Sequence, residues 1–265
     1  LAEWKTEKLF TEPQPASAEA GETGPSGETD PKLWLGESLV RLELARGKAD
    51  RALELVDELV KAYPKNPEVL GLKSSVLGEL GREDQAEAVM DSALKIAPTD
   101  PGSNNNMAYI LAVAGRRLDE AEKMATLAVT QRAETAYEDT RAWVFYKQGR
   151  VTLAARKFQW MLELIGDEDP GSGVIFDHAG DAYWRLGWHD KAVECWTKAL
   201  ELGRKVVNPL REDRQLLQDV PKKIQAAKSG AEPRTAPLGP SAKPGADDSP
   251  DDPFEPSDYR QWLLE

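Results

Sequence analysis

Apolar side chains fall at helical spacing through most of this chain. Ala52, Val56, Leu59 and Val60 follow the order i, i+4, i+7, i+8, as do Ala86, Met90, Ala93 and Leu94, and again Ala192, Trp196, Ala199 and Leu200. Such a stripe covers one face of an α-helix. Its first member is small each time, which lets two helices approach closely, while the larger members fill the space between neighbouring pairs. Val and Ile never recur in alternation, so no strand is predicted. Gly47, Gly81, Gly115 and Gly149 are evenly spaced at 34 residues, and Gly187 follows after 38. Each stands between two helical stretches, in the contexts ARGKAD, ELGRED, VAGRRLDE, KQGRVT and RLGWHD. A chain reversing direction there needs a residue that tolerates positive φ. Pro64 and Pro98 stop the second helices of the first two units. Five helix-turn-helix units are predicted.

The spacing and the small-large pattern resemble the tetratricopeptide repeat family. The fifth unit matches best, reading GDAYWRLGWHDKAVECWTKALEL with Gly180, Tyr183, Gly187, Ala192, Trp196, Ala199 and Leu200 at the consensus places. The third and fourth depart from it: Gly115 to Ala121 is one residue longer than Gly47 to Ala52, the third unit lacks the closing proline, and Ala142 replaces a glycine. NNNMAY, AWVFYKQGR and DHAGDAYWRLG resemble the final repeats of bacterial multi-repeat members. The resemblance implies an all-α fold, a right-handed solenoid of about five helix pairs over residues 33–228. Residues 208–228 place Leu210, Leu216, Leu217, Val220 and Ile224 on one face, which suits a helix capping the last pair, with Pro221 as a kink point.

The formal charge of -12 sits mainly in the flanks, with -4 in residues 1–32 and -5 in residues 229–265. Nothing resembles the basic stripe that neutralising phosphates requires, so nucleic acid is not expected as a partner. Residues 1–32 read as a flexible acidic arm. Residues 229–253, rich in Pro, Gly, Ser and acids, read as a disordered linker. The last twelve residues, FEPSDYRQWLLE, carry Phe254, Tyr259, Trp262, Leu263 and Leu264 behind a Ser257 cap and read as a short amphipathic binding motif. The chain has no run of 18 apolar residues, so no membrane insertion is expected. It starts with Leu, and LAEWKTEKLF lacks the order of a secretory signal; a soluble cytoplasmic chain, or a periplasmic one after removal of a signal or anchor, fits.

In the family the first helices of successive units line the concave face. By that register the candidate partner-binding residues are Asn105, Asn106 and Tyr109, then Asp139, Trp143, Tyr146 and Lys147, then Asp177, Asp181, Trp184 and Arg185. Asparagine amides both donate to and accept from a peptide backbone, and aromatic rings offer contact area at low entropic cost. The bland alternatives are helix capping for Asn104 to Asn106 and core packing for Trp143. The basic clamp by which some members hold a C-terminal carboxylate is largely missing, since its places carry Glu37, Arg41, Leu72, Ser75, Gly102 and Asn106.

His178 and His189 are the only histidines and Cys195 the only cysteine. Their spacing matches no metal or nucleophile signature, and no glycine-rich phosphate loop is present. No cofactor, metal or catalytic residue is assigned. The expected function is a scaffold or adaptor that binds a protein or extended peptide on its concave face; the alternative is a structural subunit of a larger assembly, held through its terminal arms.

Overall fold

The structure, a computed structural model, describes residues 30–165 and 169–242. Within them the regular elements are helical and there is no strand. The described residues divide into two compact units, with the boundary between Ser103 and Asn104. The acidic arm up to residue 29 and the terminal motif with Phe254, Tyr259, Trp262, Leu263 and Leu264 lie outside the described residues.

The first unit holds two helix pairs, α1 (Pro31–Ala45) with α2 (Ala49–Ala62), and α3 (Pro67–Glu79) with α4 (Glu83–Ile96). Local sequence sets the helix starts. Asp30 accepts from the Lys32 N–H at 2.9 Å ahead of Pro31, and Asn66 accepts from the Glu68 and Val69 N–H groups ahead of Pro67. Each cap satisfies donors that the first turn leaves unpaired, and proline at the first position removes another. The predicted stripe is the buried one: Ala52, Val56 and Leu59 are sealed, while Val60 at the i+8 place is half-buried. Together with Val40, Val69, Leu72 and Val76 they form the core of this unit.

The second unit contains α5 (Pro101–Ala114), whose first turn belongs to the first unit, α6 (Leu118–Gln131), α7 (Thr135–Lys147), α8 (Val151–Ile165), α9 (Gly173–Arg185), α10 (His189–Gly203) and α11 (Arg211–Lys228). A 3-10 turn at Pro170–Ser172, capped by Asp169, leads into α9. Helix α7 is buried on nearly every side, from Tyr137 through Lys147, and contains the ion pair Arg141–Glu138 at 3.0 Å. Helix α10 packs most extensively on α9 and next on α11. α11 closes the last pair with Leu216 and Val220 buried, as its apolar face predicts, whereas Leu210 stays exposed.

The repeat turns behave as the spacing requires: Gly47, Gly81, Gly115, Gly149 and Gly187 all have φ between 67° and 86°. The turn with one residue too many resolves its surplus at Arg117, which takes φ 53° immediately before α6. That left-handed step absorbs the insertion, so that Ala121 still arrives on the buried face.

Gly180 is different, because it lies within α9 and its backbone meets the Trp196 indole. A Cβ there would stand 2.5 Å from the ring. Alanine normally improves a helix interior by about 0.5–1 kcal/mol over glycine. Overpacking a filled core costs about 1–3 kcal/mol, and Trp196 is fully buried. Gly180→Ala is therefore expected to destabilise the chain, as read by urea unfolding; a gain in stability would show that the indole can move aside.

Candidate functional site

The first helices α7 and α9 bring the predicted partner-binding residues together, and the face they form is already covered. Its covering is this chain's own C-terminal part. From Glu232 to Gly239 the backbone is irregular, with the Thr235 N–H donating to the Pro233 carbonyl at 3.0 Å, and it lies across the C-terminal ends of α9 and α7. The Trp184 indole N–H donates to Glu232 Oε1 at 2.8 Å. The carbonyl of Ala236 accepts from Tyr146 Oη at 2.6 Å and from Arg185 Nη2 at 2.8 Å, and that of Pro237 accepts from Lys147 Nζ at 2.8 Å. In the other direction, the Ala236 N–H donates to Asp181 Oδ2 at 2.7 Å and the Gly239 N–H to the Lys147 carbonyl at 2.7 Å. Pro233 and Gly239 are buried.

Of the disordered linker expected over residues 229–253, residues 229–242 are described and are held in place, while residues 243–253 lie outside the described residues. Composition predicted disorder because the stretch has little apolar surface to bury. It is instead held by hydrogen bonds to its main chain, a feature that composition does not encode.

Asp181, 1% exposed, is the junction of the site. Besides the tail amide it accepts from the Trp196 indole N–H at 3.1 Å and from Lys223 Nζ at 2.7 Å, both through Oδ1. Lys223 also donates to Asp177 at 2.7 Å, so one ammonium on α11 bridges two carboxylates one turn apart on α9. Burial lowers the Lys223 pKa, but the two carboxylates outweigh it and the net shift is upward. Asp177 is shifted upward chiefly by its own burial, against the pull of Lys223.

Trp143 stacks between Tyr146 and His178, with ring centroids at 4.7 and 3.8 Å, and is 6% exposed. It packs under the site, as the bland alternative allowed. His178 Nδ1 lies 3.0 Å from Asp139 Oδ1. Burial works against the imidazolium, but Asp139, with Glu212 and Asp177 behind it, raises the His178 pKa overall. The Tyr146 hydroxyl is pushed up to about 12, first by burial and then by Asp181, so it remains a donor while it accepts from Arg185 Nε at 2.6 Å. Lys147 is shifted down, mainly by burial and then by the Arg185 charge. On α5, Tyr109 donates to Glu212 of α11. Asn105 is buried, with its amide 3.4 Å from Asn106 Oδ1 and its own Oδ1 lacking a protein hydrogen-bond partner.

Register located these residues, but it missed Lys223 and Trp196 as the partners of Asp181. The signal was there: Lys223 continues the Leu216, Val220 stripe of α11, and a lysine on a buried stripe calls for a carboxylate. Among the described residues no group of three His, Cys, Asp or Glu could hold a metal, and the Cys195 thiol is pushed up to about 12, chiefly by burial. Its thiolate is scarcely populated near neutrality.

The upward shifts at His178 and Asp177 share one sign. A group with a raised folded pKa binds its proton more tightly when folded, so its contribution is complete below the unfolded value and lost as pH rises through the folded one. For His178 the loss begins above about 6.5. Thermal stability is expected to fall from pH 6 to pH 8, and His178→Gln should flatten that slope; an unchanged slope in the variant would assign it to other groups.

Tetratricopeptide repeat models match residues 43–103 and 175–205. No curated protein matches the chain in sequence. Among solved structures, TTC0263, a tetratricopeptide repeat protein of Thermus thermophilus, is 20% identical with a TM-score of 0.58, over 74% of this chain and 99% of that one. PilW, a type IV pilus biogenesis factor, is 18% identical with a TM-score of 0.57, over 76% of this chain and 91% of its own. The Cut9–Hcn1 hetero-tetramer of the APC/C is 13% identical with a TM-score of 0.57, over 64% of this chain and 33% of that one. At these identities the likeness is one of fold.

Proposed function

We propose that this chain, built of tetratricopeptide-type repeats, is a protein-interaction scaffold that takes an extended polypeptide segment across α7 and α9. One observation carries the reading: a segment of non-helical chain already lies there, gripped at two consecutive carbonyls and one amide by Tyr146, Arg185, Lys147 and Asp181. Main-chain contacts of this kind give affinity with tolerance of sequence, and the neighbouring Trp184 adds a selective donor. Structural relatives that act in assemblies, such as a pilus biogenesis factor and a subunit complex of the APC/C, agree with a scaffold role. No helix among the described residues is long and apolar enough to cross a membrane.

Site-specific photo-crosslinking tests the location directly. With the crosslinker in place of half-buried Trp184, the native partner is expected to be captured. The same group in place of exposed Thr130 on α6 should not capture it. Capture at Thr130 alone would place the partner elsewhere, and capture that depends only on residues 1–29 or 243–265 would favour an assembly subunit held by its arms.

A further inference from the structure

The segment seated in the site also states what the site selects. Its sequence from Ala231 to Ala242 is AEPRTAPLGPSA. Three places in it are read by the protein. At Glu232 a carboxylate meets the Trp184 indole N–H. At Ala236–Pro237 two successive carbonyls meet three donors, and Pro237, which has no N–H, leaves no amide to be satisfied on that side. At Gly239 there is no room for a side chain, because a Cβ would stand 2.4 Å from Leu118 Cδ1 and 2.9 Å from the Lys147 carbonyl. The preferred occupant is a non-helical segment with an acid, then Ala-Pro four residues on, then Gly two residues after the proline.

The segment is joined to α11 by a connection that leaves it little freedom, since α11 ends at Lys228 and contacts begin at Glu232. So short a tether gives a high effective concentration, in the millimolar range for short flexible linkers. An incoming segment therefore meets a site occupied in cis, and its apparent affinity is reduced by the fraction of time the site is open.

Building on the reading of α7 and α9 as the binding site, we infer that residues 232–239 are a tethered competitor, and that the partner presents a proline-containing segment of the same pattern. Docking is intramolecular, and displacement of the tail is the step that a partner must achieve.

The test uses the full chain, with the tail released by Ala236→Pro and Gly239→Val together. The first removes the amide that Asp181 accepts, and the second fills the space without a Cβ. Both changes lie outside the helices, and circular dichroism confirms that the scaffold is intact. Trypsin cleavage after Arg234 reports docking: it should be slow in the wild-type chain and fast in the released variant. A fluorescent peptide, AEPRTAPLGPSA, should bind the released variant at least about tenfold more tightly than the wild-type chain. Adding Lys147→Ala and Arg185→Ala to the released variant should abolish that binding, and a peptide carrying Val at the Gly239 position should not bind. Equal peptide affinity for wild type and released variant would overturn the competitor, as would equally fast cleavage at Arg234. A wild-type dimer that dissociates on tail release would overturn the intramolecular form by showing exchange between copies. Failure of the peptide to bind at all would overturn the inferred partner pattern, while crosslinking of the native partner at Trp184 would still stand or fall separately.

Discussion

A single buried carboxylate ties together the candidate site of the second unit. Asp181 leaves water with a charge that would be prohibitive alone, and it is accommodated because every approach to it ends in a donor. Lys223 supplies the countercharge from α11, Trp196 an indole N–H from α10, and Ala236 a backbone amide from the tail. The close contact of Gly180 with Trp196 belongs to the same arrangement, since only a residue without a Cβ lets the indole lie against α9 and reach the carboxylate one residue on. Helix order, cap and tail thus converge on one side chain.

The same chemistry explains why the site suits a polypeptide. Its donors, buried Tyr146 and Lys147 on α7 and exposed Arg185 on α9, point at carbonyl oxygens, which every peptide offers. Burial keeps Tyr146 protonated, so that it donates in one direction while Arg185 donates to it from the other. In the proposed reading, selectivity comes from two steric and electrostatic details, the closed space at Gly239 and the indole donor of Trp184. A scaffold that recognises main chain in the proposed way would be permissive by construction, and a resident segment of its own would limit that permissiveness.

The repeat was legible in the sequence because it depends on spacing. The glycines at 34-residue intervals mark turns that need positive φ, and the Ala52, Ala86 and Ala192 stripes mark faces that are buried. Even the irregular third turn was visible as one surplus residue, though not that Arg117 would absorb it. The candidate residues on α7 and α9 were placed by register, and Tyr146, Lys147, Asp181 and Trp184 among them lie side by side against residues 232–239. What register could not supply was their occupant. Apart from the Glu232 carboxylate, residues 232–239 bind through backbone atoms, so their Pro- and Gly-rich composition reads as disorder even where the chain is held. Lys223 was passed over for a related reason: on a polar helix a lysine is ordinarily solvated, and only the two carboxylates of α9 make it a buried partner.

Amide hydrogen exchange at Ala236 and Gly239 in the full chain addresses the central claim most directly. Both amides are donors to acceptors on the scaffold, Asp181 Oδ2 and the Lys147 carbonyl. They should exchange far more slowly than an unstructured chain does, and should lose that protection when a partner segment binds, while the helical amides of α9 keep theirs. Exchange at unstructured rates in the partner-free chain would contradict a self-occupied site, and protection that persists in the complex would contradict competition for it.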